Sequence, residues 1–221
     1  SKTIAEYTIN YKKTHSQTLL PMLDEIVKMT ELDLKTIDAI AVAKGPGSFT
    51  GLRIGSATAK GLGLALDKPL VGIPTVEALA YNLYDVNGLI CPIMDARRKQ
   101  VYTGIYRYED HRLVTVKDQM AVGIEELLSM LNEMGESVTF LGDGVPVFKD
   151  IIADKLEVPF SFAPAHLSRQ RAGAVGALGV LYYKEGRTET AAEHKPDYLR
   201  VSQAERERVQ KLKKESEGEN A

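Results

Sequence analysis

A glycine-rich loop between a predicted strand and a predicted helix constrains the fold of this chain more than any other feature. The loop follows the apolar run at residues 37–43 and leads into a run of small residues at 51–66. A strand, a glycine loop and a helix N-terminus in that order form an anion-binding geometry, because the first N–H groups of a helix lack internal partners. The alternative is a tight turn before a closely packed helix. The candidate phosphate-binding residues are Gly45, Gly47, Ser48, Thr50 and Gly51.

The spacing of the loop departs from the common nucleotide-binding fingerprints. After Gly45, the Walker pattern requires Gly-Lys-Ser/Thr at residues 50–52, where the chain has Thr-Gly-Leu. A dinucleotide loop requires its third glycine at position 50, but the glycine stands at 51. The Gly-x-Ser-x-Gly motif of serine hydrolases is also absent, because Ser48 lies one place too early. The loop alone therefore assigns no nucleotide class.

Composition places the chain among ordinary globular proteins. Its 221 residues are 44% apolar and 26% charged, and a net charge of −2 provides no overall basic field for nucleic acid or membranes. Cys91 is the single cysteine, so no internal disulfide can form, and a reducing cytoplasm is the expected compartment. No apolar run is long enough to cross a membrane.

Apolar periodicity predicts strands and helices that alternate along the chain, which indicates an α/β protein. The two halves resemble each other weakly, so we predict two related subdomains, at residues 1–94 and 95–202. A charged tail at 203–221 is expected to be frayed or disordered. The predicted strands are residues 3–10, 37–43, 70–73, 89–94, 101–108, 113–119 and 138–141. The predicted helices are residues 15–29, 51–66, 75–84, 124–134, 147–156 and 169–185.

A stripe of small side chains runs along the predicted helix at 51–66, where Gly51, Gly55, Ala59 and Gly63 recur at every fourth position. Each glycine inside a helix costs roughly 0.8–1 kcal/mol relative to alanine, and close packing is the usual compensation. A small-residue stripe lets another backbone approach closely. That backbone belongs either to the chain's own sheet or to a helix of another subunit. Because the opposite flank is also apolar, the pattern favours a subunit interface.

Acidic, basic and histidine residues give weaker signals. Asp95 and Asp143 follow predicted strands, where carboxylates often meet Mg²⁺ or phosphate, although aspartate is equally a favoured turn residue. His15 has no second ligand one helical turn later, and the sequence has no Cys/His cluster, so no metal site is expected. The basic residues at 97–99 are too few to indicate RNA binding by themselves.

Four segments together carry a family resemblance. They are Lys-Gly-Pro-Gly-Ser-Phe-Thr-Gly-Leu-Arg-Ile-Gly at 44–55, His-Ser at 15–16 with Leu-Pro-Met at 20–22, Asp-Ala-Arg-Arg at 95–98 before Val-Tyr at 101–102, and Pro-Asp-Tyr-Leu-Arg at 196–200. In this order and spacing, they resemble the TsaB (YeaZ) family. These are bacterial accessory proteins of tRNA threonylcarbamoyladenosine biosynthesis.

The resemblance implies an actin-like (ribonuclease H-like) ATPase fold of two related subdomains. It also implies a scaffold without catalytic residues that binds the homologous catalytic subunit TsaD and, with it, the ATPase TsaE. TsaD transfers a threonylcarbamoyl group to the adenosine next to the anticodon. Alone, the chain is expected to form a homodimer and to contact tRNA only indirectly. No intrinsic cofactor is implied, although a nucleotide could bind at the interface with partner subunits.

The helices at 15–29 and 51–66 correspond to the helices that form the homodimer or TsaD interface in this family. The small-residue stripe supplies a physical reason for such a surface. The partner-binding residues expected on it are His15, Leu19, Met22, Leu23, Ile26, Leu52, Gly55, Ser56, Ala59, Leu62 and Gly63.

Two departures from the related patterns shape these expectations. TsaD carries a metal-binding His-x-x-x-His, whereas Thr75 and Leu79 stand at the comparable positions, so this chain is expected not to be an enzyme. The family also opens with a strand, an Asp-Thr/Ser turn and a second strand, which this sequence does not contain. We therefore expect that roughly 20–25 residues, the length of two strands and a turn, precede the sequence.

Two other hypotheses remain open at this level. The main alternative is a stand-alone actin-like ATPase or phosphotransferase that uses the loop at 45–51 with Asp95 and Asp143. The other is a metallopeptidase, which the missing histidine pair disfavours. ATP turnover by the isolated chain would favour an enzyme, and activity only after addition of a catalytic partner would favour the scaffold.

Overall fold

Two sheets of unequal size organise the protein, and the computed structural model describes residues 2–10 and 15–199. The helices α1 to α6 are His15–Thr30, Phe49–Leu66, Thr75–Ala80, Ile124–Met134, Val145–Lys155 and Ala172–Lys184. The strands β1 to β7 are Ile40–Gly45, Leu70–Pro74, Leu89–Asp95, Gln100–Glu109, Arg112–Gly123, Val138–Leu141 and Phe160–Phe162. None of the described helices is both long enough and apolar enough to span a bilayer.

The smaller sheet consists of β1 and β2, which run parallel with Ile40 opposite Leu70. Helix α2 connects the two strands. Side chains alternate between the faces of a strand. Ile40 and Val42 pack towards Ala59 of α2, and Ala41 packs in the cluster that contains Leu178 of α6. Helices α2 and α6 therefore cover opposite faces of this sheet.

The larger sheet has the order β5-β4-β3-β6-β7, with β3 at its centre. Strand β3 is antiparallel to β4 and parallel to β6, and β4 and β5 form a long hairpin. One face packs against α4 and α5 around fully buried Leu89, Leu127 and Phe140. The other face buries Ile90 and Tyr106 beneath α3. Because both faces of the sheet are covered, the sequence of β3 is an uninterrupted apolar run rather than alternating between apolar and polar residues.

The predicted strand at residues 3–10 is wrong, because residues 2–10 belong to no helix or strand. Among the described residues, β1 pairs with β2 alone, and the segment joins neither sheet. Glu6 anchors the segment instead. Its carboxylate accepts hydrogen bonds from the Arg171 guanidinium at 2.6 Å and from the Gly173 N–H at 3.0 Å.

Other differences from the sequence predictions are smaller. Strand β7, of three residues, was not predicted. Helix α3 ends at Ala80 rather than at residue 84, and residues 81–84 form turns. There the Asn82 side-chain amide donates to the carbonyls of Leu167 and Arg169. The predicted tail at 203–221 lies outside the described residues.

The predicted division between residues 94 and 95 stays a prediction. Strand β3, which lies before it, is the central strand of the larger sheet. Helix α6, which lies far beyond it, packs on β1 and β2. The chain therefore crosses between the two sheets more than once.

Candidate partner-binding surface

Helix α1 carries apolar side chains that the described part of the chain leaves at least partly exposed. None of its described side chains, residues 16–30, is fully buried. Leu20 and Met29 are 57% and 77% exposed. The predicted contact residues Leu19, Met22, Leu23 and Ile26 are half-buried. The predicted contact residue His15 is the first residue of α1, and its side chain lies outside the described part of the structure.

Helix α2 presents two different faces, and the small-residue stripe is divided between them. Ala59 is buried in the cluster that contains Leu70, and a Cβ on Gly63 would stand 3.0 Å from the Leu70 side chain. At Gly55, by contrast, an added Cβ meets no atom of the described chain beyond its own helix within 4 Å. Leu64, on another flank, is 74% exposed. Half of the stripe thus packs on the chain's own sheet, and Gly55 remains open.

The predicted partner-binding residues therefore fall into two groups. The chain itself buries Leu52, Ser56, Ala59 and Gly63. The residues that remain accessible on α1 and α2, as far as the structure describes them, are Leu19, Met22, Leu23, Ile26, Gly55 and Leu62. Their contact with a partner stays a prediction.

An apolar groove of about 790 Å³ lies between α1, α2, β1 and α6. Leu19 and Leu23 of α1 face Gly55 and Leu62 of α2 across it. The groove follows the edge of β1 that pairs with no strand in the described part of the chain. It leaves β1, an apolar strand, only half-buried along most of its length.

The glycine loop before α2 is covered by the segment at 196–199. The Asp197 N–H donates to the Lys44 carbonyl at 2.6 Å, and a Cβ on Gly45, whose φ is +125°, would overlap the Asp197 carbonyl oxygen. The rings of Phe49 and Tyr198 pack at 4.8 Å. Glycine is required at position 45 because another stretch of backbone approaches it. Two of the motifs that carried the family resemblance thus pack against each other.

The other loop residues start helix α2. The Ser48 hydroxyl accepts a hydrogen bond from the Gly51 N–H at 3.4 Å, as an N-cap residue does. This cap places the first residue of the helix at Phe49, two residues before the predicted start. The suggested phosphate-binding role of Gly45, Gly47, Ser48, Thr50 and Gly51 stays a prediction.

Asp95 and Asp143, predicted separately, are brought together at the carboxyl ends of β3 and β6. The Asp95 N–H donates to Oδ1 of Asp143 at 3.3 Å. Burial raises the pKa of Asp143, although the Asp95 N–H and the nearby Arg169 charge oppose that rise. Asp95 itself holds Arg97, whose N–H donates to Oδ1 at 2.8 Å and whose guanidinium lies 3.2 Å from Oδ2. Both carboxylates are therefore engaged within the chain.

Thr75 and Leu79, predicted to stand where TsaD has its histidine pair, lie one helical turn apart on α3. Both are buried, and Leu79 packs in the core beside Ile90. The Thr75 hydroxyl is buried and has no hydrogen-bond partner among the described residues. Within the described residues, no group of three His, Cys, Asp or Glu could hold a metal ion.

Comparison with known proteins identifies the family. A family model described as "TsaD: tRNA N6-adenosine threonylcarbamoyltransferase" matches residues 2–208. The tRNA threonylcarbamoyladenosine biosynthesis protein TsaB of Bacillus subtilis (strain 168) is 37% identical over 210 residues, which cover 95% of this chain and 90% of that protein. The chain belongs to the TsaB (YeaZ) family. The resemblance read from four motifs is thereby confirmed.

Two further comparisons extend the TsaB assignment. YeaZ from Pseudomonas aeruginosa has the same fold, with a TM-score of 0.70 and 23% identity over 84% of each chain. The predicted actin-like α/β fold class is confirmed with it. The tRNA N6-adenosine threonylcarbamoyltransferase of Protochlamydia amoebophila (strain UWE25) is 46% identical over 69 residues, 31% of this chain and 20% of that protein. This chain is thus related in part of its sequence to a tRNA threonylcarbamoyltransferase.

Proposed function

We propose that this chain is a non-catalytic scaffold subunit required for threonylcarbamoylation of the adenosine next to the anticodon of tRNA. It acts by binding the homologous catalytic subunit TsaD and, with it, the ATPase TsaE. Alone, it pairs with a second copy through the same surface. Membership of the TsaB family supports the pathway, and the surface of α1 and α2 supports the mode of action.

The observation that carries the proposal is the set of apolar side chains on α1 and α2 that the described chain leaves accessible, together with the groove between the two helices. Leu20, Met29 and Leu64 are all more than half exposed, and α1 has no fully buried side chain among residues 16–30. The open apolar groove between the two helices, lined by Leu19, Leu23 and Leu62, is a continuous apolar surface of the kind that marks interaction sites on soluble proteins. At ~25 cal/mol per Å² of apolar area, covering such a face contributes several kcal/mol to an association.

The buried environment of Thr75 and Leu79 supports a role without catalysis. A metal that polarises a transferred group needs nitrogen, oxygen or sulfur ligands that face an open position. A leucine in the core offers no ligand, and the Thr75 hydroxyl is buried away from solvent. Catalysis is therefore assigned to the partner.

The test compares two glycine-to-leucine variants. An added side chain at Gly55 enters the exposed groove, and one at Gly123, at the start of α4, also meets no described atom within 4 Å. Both variants should remain folded by circular dichroism. We expect Gly55→Leu to weaken assembly with the TsaD-like subunit by at least about tenfold, as loss of a packed interface position does. Gly123→Leu should assemble like the wild type.

The measurements are mass by sedimentation of the mixed subunits and threonylcarbamoylation of tRNA by the reconstituted complex. Normal assembly by Gly55→Leu would place the interface elsewhere. ATP turnover by the isolated wild-type chain would support the alternative ATPase, with the loop at 45–51, Asp95 and Asp143 as its site. Full tRNA modification by the TsaD-like subunit and TsaE without this chain would exclude a required scaffold.

A further inference from the structure

Three consecutive basic residues form the turn between β3 and β4, and we call Arg97, Arg98 and Lys99 the basic turn. Each has a left-handed backbone, with φ values of 64°, 55° and 57°. All three side chains are exposed, and that of Arg97 is 87% exposed. The turn places three cations next to one another on the surface of a chain whose net charge is −2.

The residue types in this turn are unfavourable for its backbone. Left-handed turns normally use glycine, asparagine or aspartate, because a bulky side chain at positive φ crowds its own backbone. The other non-glycine residues with positive φ in the described chain are Glu31, Asp67, Asp85, Asp110 and His111. The turn at the other end of β4 thus uses Asp110 and His111, whereas the basic turn uses three long cations. Strained positions of this kind point to a function of their side chains.

The surroundings of the basic turn leave its charge directed outwards. Asp95 fixes Arg97 through its backbone N–H and its guanidinium. Arg98 and Lys99 form no ion pair with any described residue within 4 Å. The carboxylate whose pKa responds to the Lys99 charge, Glu125, is already bound to Lys155 at 2.9 Å. The turn therefore combines one oriented guanidinium with two cations that lack a close partner in the described structure.

We propose that the basic turn binds phosphate groups of the tRNA backbone, so that this chain contacts the substrate RNA directly. The proposal rests on the proposed function, which brings the chain into a complex that acts on tRNA, and it goes beyond the expectation of indirect contact. Guanidinium groups match phosphate geometry, and lysine adds a mobile point charge. An acidic surface of a partner protein is the competing ligand.

The test measures tRNA binding to the assembled complex by fluorescence anisotropy at several salt concentrations. The variant is Arg98→Gln with Lys99→Gln. The matched control is Arg112→Gln with Lys117→Gln, which removes two exposed cations of the nearby strand β5 and leaves the turn intact. Each phosphate contact contributes about 0.7–0.9 to the slope of log K against log salt. We expect the slope to fall by about 1.5 in the turn variant and to be unchanged in the control.

A second variant separates function from structure. Arg98→Gly with Lys99→Gly relieves the left-handed strain, so it should raise the unfolding midpoint by about 2–4 °C. If the turn binds tRNA, this more stable protein should nevertheless bind tRNA more weakly. A gain in stability with unchanged tRNA affinity would overturn the proposal.

Other outcomes are equally decisive. Equal slopes for the wild type and both glutamine variants would overturn RNA binding at the turn. Failure of the turn variant to assemble with its partners, with normal assembly by the control, would assign the turn to an acidic protein surface instead. If the wild-type chain itself does not assemble, the scaffold function fails. In that case, the same salt titration on the isolated chain tests the basic turn. If the wild type and the turn variant then show the same slope, the proposal that the turn binds tRNA is overturned.

Discussion

Strands β3 and β1, one from each sheet, are similarly apolar, yet they are buried to very different degrees. In β3, Leu89, Ile90, Cys91 and Ile93 are completely inaccessible to solvent. In β1, the residues from Ile40 to Lys44 are all only half-buried. Strand β3 has a strand on each side and helices over both faces, whereas β1 has one strand neighbour in the described structure. Equal hydrophobicity thus yields a closed core in one region and an open surface in the other.

This difference separates two uses of apolar side chains. The hydrophobic residues in the centre of the larger sheet stabilise the chain itself. The smaller sheet and helices α1 and α2 keep part of theirs accessible, where binding of another molecule can bury them. Stability variants should therefore be severe in the first region and mild on the open face of the second.

The largest contrast is expected between Phe140→Ala and Leu20→Ala. Phe140 is fully buried beside Leu89 and Leu127, so its truncation should lower the free energy of unfolding by about 3–5 kcal/mol. Leu20 is more than half exposed, so its truncation should cost less than about 1 kcal/mol. Urea denaturation of the two variants measures both values. If the two variants lost similar amounts of unfolding free energy, Leu20 on α1 would be covered as fully as Phe140 in the larger sheet.

An intermediate effect is expected within α2, where one helix has a closed face and an open face. Ala59→Leu should lower the free energy of unfolding by about 1–3 kcal/mol, because Ala59 is buried and the larger side chain would overpack the cluster that contains Leu70. Gly55→Leu should leave stability unchanged or raise it slightly, because the open position gains helix propensity. Thermal unfolding of both variants checks the assignment. If Ala59→Leu is tolerated, the division of the stripe is wrong.

The smallest effect concerns Glu6, which holds the segment at 2–10 by charge rather than by burial. The hydrogen bond from Arg171 holds the pKa of Glu6 below its ordinary value of 4.5. The ion pair therefore contributes stability above about pH 4.5, and this contribution is lost as pH falls through the lowered pKa. Its size is about 1 kcal/mol or less, because Arg171 is partly exposed.

Glu6→Gln tests the pH dependence. The wild type should be slightly more stable than this variant at pH 6, and the two should converge as the pH is lowered towards 3. Chemical denaturation at both pH values provides the comparison. A constant difference across the range would assign the contribution to packing rather than to the charge of Glu6.

Apart from β7, the strands of the larger sheet and helix α4 that covers it were predictable from sequence. Helix α4 has the predicted bounds because an amphipathic run ends at Gly135, whose φ of +69° suits a helix terminus. Strand β6 was predicted at its observed residues. The segment at 3–10 has a similar apolar pattern, but the structure gives it no pairing partner. Local pattern is sufficient for a strand only when the sheet offers an edge for it.

The candidate surface was only partly predictable. The fourfold spacing in α2 identified an unusual helix, but spacing could not say which side chains face the chain's own sheet. Gly45 and Asp197 are far apart in sequence, and the close approach of their backbones left no local signal beyond the glycine itself. The left-handed backbone of the basic turn was equally invisible, because Arg-Arg-Lys carries none of the usual turn residues.

By itself, the sequence determined the α/β class, nearly all the helices and strands, and the family, because these depend on local periodicity and on motifs whose residues are adjacent. The tertiary structure decided which half of the small-residue stripe is buried, why Gly45 must be a glycine, and where unpaired positive charge lies on the surface. These properties arise from contacts between distant segments. Such contacts depend on how the sheets and helices pack in space, which no short stretch of sequence specifies.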